Sequence, residues 1–171
     1  DYDADPEYVI AANPDLVIVR PFISRRVPQF IEAIEQAGIQ VVSLLPKSLD
    51  LFDEYILKLA LLTGTEEAAK ERLARFHSEL EAVAEKTASL PEKTRIYFES
   101  TENELRTVTD DSMAGQGMAL AGGVNVAAGA EPVTAGSTIA AFGAERILML
   151  ADEIDVYVSQ RGAMNAGGNV H

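Results

Sequence analysis

The chain of 171 residues contains no cysteine, which removes disulfide frameworks, thiolate metal sites and cysteine nucleophiles from consideration. Basic residues are scarce: 14 Lys and Arg stand against 27 Asp and Glu, a formal charge of −13. Nucleic-acid binding draws on clustered cations to displace phosphate counterions, so that partner is excluded. No apolar run approaches the ~20 residues that a membrane span needs. The opening "DYDADPEYV" also lacks the basic and apolar regions of a signal peptide. With two histidines, His77 and His171, direct capture of a bare transition metal is not expected, because such sites combine several histidines and carboxylates.

Catalytic signatures are missing too. "GQGMALAG" has Leu120 where the third glycine of a dinucleotide loop would stand, and no G-x-S-x-G, P-loop or H-E-x-x-H occurs. Ser137 in "AGST" has no adjacent base to activate it. What remains is a composition, 47% hydrophobic and 24% charged, that fills a core.

The pattern along the chain alternates. Asp5 followed by Pro6 reads as an N-cap with proline at the first helical position, and "Asn13-Pro14" closes that helix. "DLVIVRP" is a β-branched run of the kind buried in a parallel sheet. A second helix is expected over "SRRVPQFIEAIEQAG", capped by Ser24 and ended by Gly38; a strand over "IQVVSLLP"; and a third helix over "SLDLFDEYILKLALLTG". Helix–strand–helix–strand–helix is the crossover order of an α/β sheet. From Thr65 to Leu90 apolar residues recur at intervals of four and three, predicting one long amphipathic helix that ends at Pro91.

Beyond it "TRIYFES" reads as a strand, "ELRTVTD" as a second, and "DSMAGQGMALAGG" as a capped helix terminated by Gly122 and Gly123. "AEPVTAGST" reads as loop, "IAAFGAERILMLA" as helix, "EIDVYVSQ" as a strand, and "RGAMNAGGNVH" as an irregular end. The expected architecture is α/β, with two small parallel-sheet lobes: residues 1–64, a connecting helix at 65–91, and residues 92–171.

An internal repeat stands out. "EYVIAANPDLVIV" returns as "ERILMLADEIDVYV", with Glu7 and Glu145 each in the first turn of a helix and a second acid leading into the apolar run. A carboxylate there is favoured by the helix dipole alone, by about 0.3 to 1 kcal/mol, so the repeat needs no partner to explain it. Helix N-termini nevertheless lie at the same sheet edge as strand C-termini, where ligands bind. Candidate ligand contacts at those edges are Arg20, Phe22, Arg25 and Arg26 after the first strand, Glu99, Ser100 and Thr101 after the third, Ser112 and Met113 at a helix start, and Gln160 and Arg161 after the last. Guanidinium forks suit oxygen-rich anions. Capping and backbone satisfaction are the plain alternatives for Ser112 and the strand ends.

The segments "PEYVIAANPDLVIV", "MALAGGVNVAA" and "AERILMLADEIDVYVS", with the long mid-chain helix between the first two, resemble the class III substrate-binding proteins of bacterial and archaeal ABC importers for iron–siderophores, haem or cobalamin. The resemblance implies two α/β lobes bridged by a rigid helix, a non-catalytic role, and a chelate held between the lobes, an iron–siderophore first among them. It also implies location in the periplasm or, lipid-anchored, at the cell surface. Glu7 and Glu145 match the glutamates that pair with permease arginines in that family. Family members carry further elements on both sides, so the chain is expected to be a fragment of a longer precursor. In the second copy Asp155 interrupts the apolar run, which predicts a strand near a sheet edge. A cytoplasmic α/β enzyme or regulatory ligand-binding domain is the rival reading, since architecture does not fix function.

Overall fold

A computed structural model of the chain describes residues 5–101 and 104–161. Two compact units divide it, Asp1–Pro46 and Lys47–His171. The segment 47–64, grouped with the first lobe on sequence, packs in the second unit.

The first unit runs α1 (Pro6–Ala12), β1 (Leu16–Val19), α2 (Pro21–Arg26), α3 (Pro28–Gln36) and β2 (Gln40–Ser43). Asp5 caps α1 by accepting from the Glu7 amide at 2.9 Å, and Asn13 closes it in the left-handed conformation. β1 and β2 pair in parallel, from Leu16 opposite Gln40 to Val19 opposite Ser43. One uninterrupted helix capped by Ser24 is not what forms. Pro21 and Pro28 each open a separate helix, and Val27 between them adopts an extended φ of −133° because a residue before proline is pushed out of the helical region. Ile34 and Ile39 are buried and hold α3 onto the sheet.

In the second unit the order is α4 (Phe52–Thr63), α5 (Glu66–Ala88), β3 (Thr94–Glu99), β4 (Thr107–Val108), α6 (Met113–Leu120), β5 (Gly123–Asn125), β6 (Ile139–Ala140), α7 (Ala144–Met149) and β7 (Val156–Ser159). α4 ends on Gly64 at φ +65°, a left-handed cap that glycine adopts without strain. α5 is the predicted long helix; its 23 residues extend ~35 Å at ~1.5 Å each. It buries Ala69 and Leu73, stacks Phe76 on Phe52 at 4.8 Å, and donates from Thr87 Oγ1 to the Leu120 carbonyl of α6 at 2.8 Å. His77 is about half exposed, with Nε2 2.7 Å from Asp53 Oδ2.

The sheet of this unit is parallel, in the order β5-β3-β7. Among the described residues β7 lies at its edge, as expected from Asp155. Two elements differ from expectation. Gly123 begins a strand instead of only ending a helix: a Cβ there would stand 2.5 Å from Ile96 Cδ1, so glycine lets β5 come against β3. Ile139 and Ala140 form β6, antiparallel to β4, and the helix expected from residue 139 starts only after Gly143, whose φ is +91°. Tyr97, Ala127, Ala130 and Ala140 make the core, with Phe142 packed on Tyr97 at 5.3 Å. The fold class is therefore α/β with parallel sheets.

Candidate ligand-binding site

In the first unit, β1 delivers Arg20 to the N-cap position of α2, where its guanidinium carbon lies 5.5 Å from the centre of the Phe22 ring. Arg25 and Arg26 occupy the last turn of the same helix, and Arg25 is exposed. A cation held over an aromatic face keeps its planar edge available to an oxyanion. Arg20 and Phe22 are thus brought together, with Arg25 five residues on.

In the second unit, Glu99 and Ser100 end the central strand and are buried, at 4% and 2% exposure. Burying a carboxylate is costly unless hydrogen bonds compensate it. Tyr157, on the neighbouring strand, supplies one: burial first, then the charge and the hydrogen bond of Glu99, push its hydroxyl up to about 12. The Gln160 amide donates to the Glu99 carbonyl at 3.1 Å, which brings the exposed Arg161 to the end of the same pair of strands. Thr101 pairs with Arg106, whose amide donates to its carbonyl at 3.2 Å. Ser112 is buried and caps α6: its hydroxyl accepts from the Gly115 amide at 2.9 Å and donates to the Thr109 carbonyl at 2.7 Å. Both hydrogen-bonding directions of Ser112 are in use. Met113 donates its amide to the Lys47 carbonyl at 3.2 Å.

A cavity of about 420 Å³ opens in this unit between residues 47–51, Asp111 and residues 136–138. Its walls are stitched to α6 and β6. Gln116 accepts from the Leu49 amide at 2.6 Å and donates to Asp50 Oδ2 at 2.5 Å; the Thr109 amide donates to the Thr138 carbonyl at 3.0 Å. Ser48 accepts from the Leu51 amide and Ser137 from the Ile139 amide. Sequence reasoning missed this cavity and its Lys47, Asp50 and Asp111.

Glu7 and Glu145 are both exposed in the first turns of α1 and α7. Beside Glu7 stands Tyr8, 80% exposed; one helical turn after Glu145 stand Leu148 and Met149, 74% and 83% exposed. Each acid therefore shares a short helix with large apolar side chains left in solvent.

The family model described as periplasmic binding protein matches residues 1–167. The chain belongs to the periplasmic binding protein family. No curated protein matches its sequence. Solved structures share the family's fold with it. A possible iron-binding (periplasmic solute-binding) protein of Staphylococcus epidermidis superposes with a TM-score of 0.73 at 17% identity, covering 97% of this chain and 62% of its own. IsdE of S. aureus, solved with heme, gives 0.70 at 18% identity over 96% and 60%. The periplasmic vitamin B12 binding protein BtuF of Vibrio cholerae gives 0.65 at 20% over 99% and 63%. The chain thus spans about 60% of the length of these structures. At such identities the likeness speaks for the fold alone.

As a family member the chain places its expected residues in separate groups. Arg20, Phe22 and Arg25 lie in the first unit; Glu99, Thr101, Ser112 and Arg161 lie in the second. Among the described residues no cluster of three or more His, Asp or Glu could hold a metal ion, and no helix is long and apolar enough to cross a membrane.

Proposed function

We propose that the chain is part of the extracytoplasmic substrate-binding component of an ABC importer, which captures a metal chelate, an iron–siderophore, and delivers it to the permease. The observation that carries this reading is the family match over residues 1–167. The solved relatives support a chelate as cargo: one is described as possibly iron-binding, one was solved with heme, and one is a vitamin B12 binding protein.

Ligand recognition is assigned to Arg20, Phe22 and Arg25 in the first unit and to Arg161 and Thr101 in the second, with Glu99 and Ser112 shaping the second surface from beneath. Guanidinium groups donate paired hydrogen bonds to oxygen ligands around a metal. The work is differential affinity, with no bond made or broken. Glu7 and Glu145 are assigned to permease docking, where each would meet an arginine. The exposed Tyr8, Leu148 and Met149 beside them suit such a contact, since apolar groups next to a charge are typical of protein interfaces.

Equilibrium dialysis of the purified protein against ferric siderophores of several chelating types, haem and cobalamin tests the reading. Saturable one-to-one binding of one of these is expected. Binding of none of them would overturn it.

A further inference from the structure

Unfavourable features gather on one stretch of the second unit, residues 105–109. Leu105 stands at φ +47°, in the left-handed region that a leucine rarely adopts; Asn13, the other non-glycine residue found there among the described residues, is of a type that tolerates it. Two residues beyond Leu105, Thr107 is fully buried, and neither its hydroxyl nor that of Thr109 has a hydrogen-bond partner among the described residues. A buried hydroxyl without a partner has lost its water and gained no bond in exchange, so native proteins contain few of them. Among the described residues one further buried side-chain atom, Asp53 Oδ1, lacks a partner, and it lies elsewhere, on α4. The strain is therefore concentrated in five consecutive residues.

A strained conformation persists where its neighbours enforce it. Here those neighbours are identifiable. The hydroxyl of the buried Tyr97 donates to the Leu105 carbonyl at 2.7 Å, and the Gly143 amide donates to the same oxygen at 3.4 Å. The Ser100 hydroxyl donates to the Thr107 carbonyl at 2.9 Å, the Arg106 amide to the Thr101 carbonyl at 3.2 Å, and the Thr109 amide to the Thr138 carbonyl at 3.0 Å. The ladder itself is short: β4 pairs with β6 over two residues, whereas β3 is held by a parallel strand on each side. Much of the hold on this stretch thus comes from single bonds at its two ends.

We propose that residues 105–109 form a strained strap that opens as one unit while the β5-β3-β7 sheet stays folded, with the Tyr97 hydroxyl as its latch. Opening returns the Thr107 and Thr109 hydroxyls to water and lets Leu105 leave the left-handed region, which offsets the hydrogen bonds that are broken. The strap joins the end of β3, where Thr101 pairs with Arg106, to residues 136–138 in the cavity wall, so one motion alters both. A ligand seated along this edge then selects between two states instead of meeting a fixed surface. The strap is a property of the fold, independent of the importer reading, and its test needs no ligand.

Native-state amide exchange, read residue by residue by NMR on the purified wild-type protein, Thr107→Val and Tyr97→Phe, tests the proposal. In the wild type the Arg106 and Thr109 amides are expected to be protected about a hundredfold less than amides inside β3, because they exchange through the local opening. Thr107→Val keeps the side chain's shape and deletes the unpartnered hydroxyl, so both strap amides should gain protection by the same factor, about tenfold, and the melting temperature should rise. Tyr97→Phe removes the latch, so both should lose protection by about tenfold, again together. Protection of Arg106 and Thr109 equal to that of β3 in the wild type would overturn the proposal, since the stretch would then open only with the whole unit. Unequal responses of the two amides to either substitution would also overturn it, because the stretch would not move as one. So would a Thr107→Val protein that is less protected or melts lower than the wild type, or is unchanged, since the hydroxyl would not then be a source of strain.

Discussion

Arg95, the second residue of β3, and Asp155, the residue just before β7, clamp two neighbouring parallel strands together near their starts. The Arg95 guanidinium donates from Nη2 to Asp155 Oδ1 at 2.7 Å and from Nε to Oδ2 at 3.1 Å, and the Arg95 amide adds a third bond to Oδ2 at 2.8 Å. Those bonds, the guanidinium's first and the amide's second, hold the Asp155 carboxyl at about 2, below its usual 3.8. Among the described residues β7 has one neighbouring strand, β3, so this clamp sets where the pair begins.

A pH dependence follows from the sign of that shift. Because the folded value is depressed, the stabilisation is present above the unfolded value near 3.8 and is lost as pH falls toward about 2. Asp155→Asn should lower the melting temperature at pH 7 and flatten its dependence on pH between about 4 and 2. The pair is roughly half exposed, so high salt should shrink the difference. Thermal melts followed by circular dichroism across that range check it; an unchanged acid slope in the variant would show that the clamp is not what titrates.

Gly115 is a sharper test of the packing beneath α6. A Cβ at that position would stand 2.5 Å from the Thr109 carbonyl oxygen and 2.6 Å from that of Asp110, both rigid backbone atoms. The turn they form is itself fixed, since Asp110 accepts from Asn125 Nδ2 at 2.8 Å and from the Gly129 amide at 2.9 Å. Gly115→Ala should destabilise by roughly 1–3 kcal/mol through overpacking, despite alanine's better helix propensity. Urea denaturation gives the number. Gly117→Ala on the same helix meets nothing within 4 Å and should be neutral or stabilising, which controls for propensity.

The contrast between those glycines shows where the sequence stops being informative. Elements whose cause is local were legible: Asp5-Pro6 opens α1, Gly64 closes α4, and the spacing from Ala69 to Leu80 builds α5. Local reading failed where a second local signal competed, as when Pro28 cut a helix that Ser24 was expected to cap. It failed again at Ile139–Ala140, whose strand exists only because β4 lies alongside. The site divides in the same way. Arg20 and Phe22 are two residues apart and could be paired by eye. Asp50 and Gln116 are 66 positions apart, and no periodicity joins them, so the cavity they help to hold open was invisible until the chain was folded.

Arg20→Ala should weaken binding of an oxygen-rich chelate about tenfold, roughly the worth of a charge-assisted contact, and Arg20→Lys should restore only part of it. A lysine keeps the charge but loses the planar fork that stands over Phe22. Calorimetric titration of the three proteins separates the two contributions. Equal affinity of all three would remove Arg20 from the ligand contacts while leaving Arg25 and Arg161 to be tried.

Transport and binding should come apart at the repeated helix starts. Glu7→Ala with Glu145→Ala removes two exposed carboxylates that lie in the first turns of α1 and α7, so ligand affinity and melting temperature should change little. Uptake of labelled chelate by cells carrying the double variant should nonetheless fall to background if the two acids make the proposed ionic contacts with the permease. Leu148→Ser with Met149→Ser should lower uptake in the same direction without touching the charges, since those side chains are 74% and 83% exposed and contribute little to the fold. A rise in ionic strength should weaken docking of the wild type and of the Leu148/Met149 variant, and have little further effect on the double glutamate variant. Should the double glutamate variant support wild-type uptake, the acids are helix-start residues stabilised by the dipole and nothing more.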